Sequence, residues 1–154
     1  MNVHNSESFS IQGKHRFILQ NIFTEEKEIF EYENLVTTTG KTMIAKRLGG
    51  EGNDCNITYA AVGTNAAVPA LADVKLGTEL LRKTLTSNSY SGAIAYITSY
   101  FGASEANGAL KEFGLFGEAA SATPDSGTLF NHAAINVTKT SSYTMTIEST
   151  ITIG

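Results

Sequence analysis

Gly40-Lys41-Thr42 is the tripeptide that ends a phosphate-binding loop, and the strand-like run IFEYENLV leads straight into it. In such a loop backbone amides cradle the phosphates, the lysine reaches the outer ones and the hydroxyl meets magnesium. The pattern G-x-x-x-x-G-K-[ST] needs glycine at position 35, where this chain has Leu35. The intervening Val36-Thr37-Thr38-Thr39 are all β-branched, and such residues resist the dihedrals that turn successive amides inward. Lys41 is therefore read as a lysine in the first turn of a helix, and nucleotide binding is not expected.

The remaining reactive side chains form no pattern either. Cys55 follows Asn53-Asp54 with no histidine close in sequence, and no G-x-S-x-G elbow occurs. His4, His15 and His132 stand apart, without the i, i+4 pairing or cysteine clusters of metal sites. His132, between Asn131 and Ala133, reads as a partly buried strand residue. Asp73, Glu79, Glu105, Glu112 and Glu118 could supply paired carboxylates for glycoside hydrolysis, but nothing singles out two of them. Asn56-Ile57-Thr58 and Asn136-Val137-Thr138 match the glycosylation triplet; with no secretory route in view, they are read as chance matches. Tyr90, Tyr96, Tyr100 and Phe101 could form a sugar platform, although core packing accounts for them better. No catalytic residue, cofactor site or metal site is assigned, and the chain is not expected to be an enzyme.

The elements that would position these residues are mostly strands. FSIQGKHRFILQNIF and EIFEYENLV flank the polar TEEKE, the pattern of a hairpin. Phe30 and Tyr32 alternate with Glu31 and Glu33, as on a half-exposed strand. TTTGKTMIAKRLGG predicts a helix of two to three turns, capped by Thr38 or Thr39, with Lys46 and Arg47 in its last turn and Gly49-Gly50 as its stop. NITYAAVG, TELLRKTLTS, AIAYITSYF, GALKEFGLFG and TLFNHAAINV read as strands separated by turn-prone loops such as SEANG. In TELLRKTLTS, simple alternation puts Glu79 and Arg82 on opposite faces. Either Glu79 or Glu112 is then expected to pair with Arg82 across neighbouring strands and fix register. The last segment, SYTMTIESTITI, sets Tyr143, Met145, Ile147, Ile151 and Ile153 against a face of threonines. About seven or eight strands with one short helix predict a mainly β fold, an antiparallel, jelly-roll-like β-sandwich. Residues 1–34 could stand outside it as an N-terminal hairpin or assembly arm.

With 154 residues the chain is one domain by length and can bury about 70% of its unfolded surface without disulfide or metal. A net charge of −4 argues against nucleic acid as a partner. EEKEIFEYE alone holds five glutamates against one lysine; Glu28, Glu31 and Glu33 are candidates for an acidic face that meets a basic partner. The single cysteine permits no intrachain disulfide and fits folding in a reducing cytoplasm. MNVHNSESFS lacks the apolar core of a signal peptide, and no run approaches the ~20 apolar residues of a membrane span.

Five pieces in order carry a resemblance: NLVTTTGKTMIAKRLGG, ITYAAVGTNAAVPALADVKLGTELLRK, SEANGALKEFGLFGEA, GTLFNHAAI and KTSSYTMTIESTITI. Over residues 34–153 this series resembles small virion proteins of tailed bacteriophages, variously described as tail fibre, baseplate or head accessory proteins. The matching positions are Asn34-Leu35-Val36 with Gly40, Ala61-Val62-Gly63-Thr64, Leu76 through Arg82 with Glu79, Glu105 through Phe116 with Glu112, Gly114 and Leu115, and Lys139. The resemblance implies a non-enzymatic building block without cofactor, located in the virion and assembled in the host cytoplasm beside other virion proteins. A tail-tip, baseplate or fibre-associated module is favoured over a capsid decoration protein that reinforces the head. A carbohydrate-binding adhesin that meets a host-surface glycan is a further alternative. Likeness to phage fibres and capsid knobs implies a homo-oligomer, with a trimer expected, and Thr146 and Thr150 on the threonine face are the candidate contact surface.

Overall fold

Strict alternation builds the longest strands. In β10 (Tyr143–Ile153), Met145, Ile147, Ser149 and Ile151 are buried while Glu148 and Thr152 are exposed, the period of two expected when one face meets a core. In β1 (Ile11–Asn21), His15, Phe17 and Leu19 turn inward in the same way. A computed structural model describes residues 8–51 and 55–154. The other strands are β2 (Lys27–Glu33), β3 (Leu35–Val36), β4 (Ile57–Gly63), β5 (Glu79–Thr84), β6 (Ser87–Ser91), β7 (Ile94–Phe101), β8 (Gly108–Gly117) and β9 (Thr128–Lys139), with one helix, α1 (Thr38–Leu48), among the described residues.

The strands form two antiparallel five-stranded sheets, the mainly β sandwich expected from the alternation. Sheet A runs β2-β1-β10-β7-β6 and sheet B runs β3-β9-β8-β4-β5. Phe17, Leu19, Phe101, Met145 and Ile147 from sheet A pack against Val62, Leu110, Phe113, Leu115, Ile135 and Val137 from sheet B. Phe17 and Phe113 meet edge to face, their centroids 5.4 Å apart, a favoured aromatic geometry.

Residues 11–33 are not an arm. β1 lies between β2 and β10 and pairs with β10 from Ile11 to Asn21, because its inward residues supply part of the shared core. Residues 1–7 of the expected arm, with His4, lie outside the described residues, as do Asn53 and Asp54.

The helix is capped one residue earlier than expected. Thr37 accepts from the Gly40 amide at 3.0 Å and donates its hydroxyl to the Leu129 carbonyl at 2.6 Å, so one threonine both starts α1 and ties it to β9. Gly40 is needed there for proximity: a Cβ would fall 2.0 Å from the Phe130 carbonyl oxygen. The reading of TELLRKTLTS as one strand also changes. The chain leaves sheet B after Thr84 and enters sheet A at Ser87 as β6.

The two outer faces differ. Over the half of sheet B around Glu112 through Gly117 of β8, which are all buried, lie α1, residues 64–78 and residues 118–127, whereas Ala134, Asn136 and Thr138 of β9 stay exposed. A second apolar cluster of Ala61, Leu76, Phe116 and Leu129 fills the space beneath this cover. On sheet A no described residue covers the corresponding face.

Candidate functional site

The residues that carry the resemblance come together as locks on the long loops of sheet B. In β5 the register with β4 slips: Leu81 opposes Val62, whereas Glu79 opposes Gly63. Leu80 is the extra residue of a bulge, which reverses the alternation and puts Glu79 and Arg82 on the same side. They therefore pair directly along one strand, correcting the expectation of opposite faces and of a pairing across strands. Arg82 Nε and Nη2 donate to the two Glu79 oxygens at 2.6 Å each, with the side chains only 2% and 3% exposed. Nη1 donates to the Ser126 carbonyl at 2.8 Å and the Ser121 carbonyl at 3.3 Å. The guanidinium lies 4.4 Å from the centroid of Phe116, a cation–π contact. One buried ion pair thus clamps residues 121–126 onto β5.

Glu112 is the second lock and does not touch Arg82 in any described contact. Its carboxylate accepts the amides of Asn65 at 3.2 Å, Gly77 at 2.8 Å and Thr78 at 2.7 Å, closing both ends of the 64–78 loop. Gly63 makes room for it, since a Cβ there would lie 2.4 Å from Glu112 Oε1. The middle of the same loop is held by His132, a role that sequence reasoning missed. His132 Nδ1 lies 2.7 Å from Asp73 Oδ2, and Nε2 lies 3.1 Å from Glu112 Oε2. Burial pushes the Asp73 carboxyl up, but the Ala70 amide and His132 outweigh this and hold it below its ordinary value. Both His132 nitrogens face carboxylates, so neither offers a free position for a metal ion or a substrate proton. The adjoining depression of about 270 Å³ is lined by Ala67, Val68, Leu76 and Gly77 among others and presents no hydroxyl or thiol.

Lys139 is the third lock. Its buried ammonium donates to the carbonyls of Gly102 and Ala103 and to Asn107 Oδ1 at 2.8, 3.2 and 2.9 Å, and burial lowers its pKa. Glu105 completes that turn, accepting from Lys83 at 2.7 Å and from the Gly102 amide at 2.6 Å. The Lys83 hydrogen bond first, then the amide, hold its carboxyl low. Gly114, Leu115 and Phe116 are buried in β8, with Leu115 in the main core and Phe116 in the outer cluster. Inside the sandwich, His15 lies 2.7 Å from Ser149 Oγ, and burial depresses its pKa to about 3. Among the described residues, no group of three or more His, Cys, Asp or Glu could hold a metal ion.

The expected interface residues fall mainly on the open face of sheet A. Cross-strand register lines up Ile29, Ile18, Thr146 and Tyr100 in one row. The next rows are Glu31, Arg16, Glu148 and Thr98, then Glu33, Lys14, Thr150 and Tyr96. The proposed acidic face is divided. Glu31 pairs with Lys14 at 2.8 Å and Arg16 with Glu148 at 3.2 Å, so the middle of the face neutralises itself. Glu28 opposes the core-facing Leu19 and so points to the other side of β2.

Core packing accounts for Phe101, which is buried, but not for the tyrosines. Tyr96 and Tyr100 are 43% and 44% exposed on the open face, and Tyr90 is 84% exposed on β6. No described residue covers this face of sheet A, so Tyr96 and Tyr100, which alternate with core positions, stay in solvent, whereas Tyr90 lies in the core-side row of the edge strand, opposite Ala95. A depression of about 470 Å³ on this face is lined by Gln12, Lys14, Glu33, Asn34, Thr150 and Thr152 among others. Comparison of the chain with protein-family models, with curated proteins and with solved structures found no match.

Proposed function

We propose that this chain is a non-enzymatic structural module of a tailed-phage virion, docking on a neighbouring virion protein of the tail tip, baseplate or fibre through the open face of sheet A. The observation that carries the reading is the difference between the two outer faces. Sheet B spends its polar side chains on loop locks and buries its outer surface around Glu112 and Phe116, leaving only an end with Ala134, Asn136 and Thr138 exposed, whereas sheet A leaves Ile18, Ile29, Tyr96, Tyr100, Thr146 and Thr150 in rows across its outer surface. Two cations and three carboxylates share that surface and partly pair with one another. This composition fits a protein surface better than a polyanion.

The test is a tagged copy expressed during phage growth and located by imaging of purified particles. Tail-tip or baseplate density supports the proposal; density over the head, with hundreds of copies per particle, replaces it with a capsid decoration role. Changing Thr146 and Thr150 together to lysine is expected to block incorporation while leaving the melting temperature unchanged. Normal incorporation of that variant rejects the face.

One observation favours a second reading. Half-exposed Tyr96 opposes Thr150 at the rim of a polar depression, with Tyr100 farther along the same face, and aromatic rings beside polar groups are also what a sugar platform needs. Binding of the isolated chain to a glycan array, lost in Tyr96→Ala, would support an adhesin; an array without signal would remove it.

A further inference from the structure

A sheet edge exposes unpaired backbone N–H and C=O groups, and natural sheets guard it with charge, shortness, proline or a bulge. Among the described residues, three of the four sheet edges are guarded. β2 carries Lys27, Glu28, Glu31 and Glu33; β3 is two residues long; β5 holds the Leu80 bulge and the Lys83–Glu105 ion pair. β6, SNSYS, has none of these devices. All five residues are exposed, and its register with β7 is unbroken from Ser87 to Ser91.

The direction of its backbone groups follows from its neighbours. The Thr98 carbonyl accepts from the Thr86 amide, so it faces β6, whereas the Ala93 carbonyl accepts from the Ile153 amide and faces β10. Alternation along β7 then turns Ile94, Tyr96 and Thr98 towards β6, and Ala95 and Ile97 towards β10. Their partners in β6 are Ser91, Ser89 and Ser87 in the first set, Tyr90 and Asn88 in the second. Asn88 and Tyr90 therefore hold their N–H and C=O groups outward, away from the sheet.

We infer that β6 pairs antiparallel with β6 of a second copy of this chain, about a two-fold axis at Ser89. In that register Asn88 lies opposite Tyr90 of the second copy, so the outward-facing residues meet. Each such pair exchanges two backbone hydrogen bonds, giving on the order of four across the axis. Ser89 faces its own counterpart and Ser87 faces Ser91, so no charges oppose one another. Proline and charge, the usual obstacles to strand addition, are absent. The pairing joins two copies of sheet A into one continuous sheet, with its open face doubled and Tyr96 from each copy flanking the central serines. This inference deepens the assembly role proposed above by naming the edge and the partner. It closes at two copies, unlike the trimer expected from the resemblance.

The test uses the full chain alone, so its result is separate from where the protein sits on a particle. Sedimentation velocity is expected to show a dimer at high micromolar concentration. Tyr90→Lys, on an exposed side chain, should weaken it at least tenfold, and Asn88→Pro, which removes an outward donor, should leave a folded monomer by circular dichroism. In a Cys55→Ser background, Ser89→Cys should form a covalent dimer under mild oxidation, while Ser87→Cys and Ser91→Cys should not. A wild-type monomer or trimer overturns the inference. So does a dimer that survives both edge variants, or cross-linking at Ser87 as efficient as at Ser89.

Discussion

Removing the Arg82 guanidinium should be among the most costly single changes in this protein. Arg82→Ala leaves the Glu79 carboxylate in a site where its side chain is 3% exposed. Its one other described donor is the Asp125 amide at 3.3 Å. Losing one partner of a buried ion pair costs about 3–5 kcal/mol, because an uncompensated charge remains. For a chain of this size each kcal/mol moves the melting temperature by about 2–4 °C, so a fall of about 6–20 °C is expected. The double variant Glu79→Leu/Arg82→Met removes both charges and keeps most of the volume. It should melt above either Glu79→Leu or Arg82→Met, since replacing a whole buried pair by apolar groups is often neutral. Calorimetry at neutral pH measures all of these variants. Hydrogen exchange should also show faster exchange at the Ser121 amide, which is held by Ser126 Oγ at 2.9 Å beside the Arg82 contacts. An Arg82→Ala shift below about 2 °C, or a double variant as unstable as the two single losses added together, would refute the clamp.

Three further outcomes follow from the packing and the buried polar groups. Gly40→Ala places a methyl 2.0 Å from the Phe130 carbonyl oxygen; α1 must move off β9, and a loss of about 1–3 kcal/mol is expected in urea unfolding. Burial holds His15 near a pKa of about 3 against 6.5 in a model peptide. The unfolded chain therefore takes up a proton that the folded chain does not as pH falls below about 6.5. Stability should drop by about 1.4 kcal/mol per pH unit below that point, and fall no further from this group under pH 3. Between pH 6 and 4.5, before most carboxylates titrate, His15→Gln should lose this slope; equal slopes in variant and wild type would contradict the assignment. Glu112→Gln has one acceptor oxygen for the three amides now held by two, so residues 64–78 should become the first site of limited proteolysis, with a cost of about 1–3 kcal/mol. Cleavage elsewhere first would show that the loop is held by other contacts.

Alternation carried most of the fold into view from sequence alone. Met145, Ile147 and Ile151 against their threonine neighbours predict the sided β10, and Phe30 with Tyr32 predicts the hairpin partner of β1; the structure has both. What periodicity could not reveal were events that break a period. Leu80 interrupts β5, so Glu79 and Arg82 share a side although their spacing of three places them apart. SNSYS has weak strand composition, and β6 is paired because β7 beside it is strongly strand-forming. The His132 contacts needed Asp73, which lies far away in sequence within an irregular loop. A signal was present in the motif itself: Glu112 and Lys139 stand at strand positions that are costly to bury unless every polar atom is used.

The division of labour between the sheets follows from where those polar atoms are used. A buried carboxylate or ammonium must be fully hydrogen-bonded, and irregular loops offer many unpaired amides and carbonyls. Glu79, Arg82 and Glu112 therefore do two things at once, satisfying their own charge and fixing loops that would otherwise expose Ala61, Leu76, Phe116 and Leu129, and Lys139 does the same for the turn at residues 102–107. Sheet A needs no such device. Its outer face carries threonine, tyrosine and paired surface ions that tolerate water, and its β6 edge remains unguarded. Buried chemistry committed to rigidity, with one open face and one open edge on the same sheet, is what the proposed assembly role calls for. Face and edge can also be separated by mutation, because Thr146 and Thr150 lie on β10 and Asn88 and Tyr90 two strands away on β6. Lysines on the face should block docking without changing self-association, and proline at the edge should do the reverse.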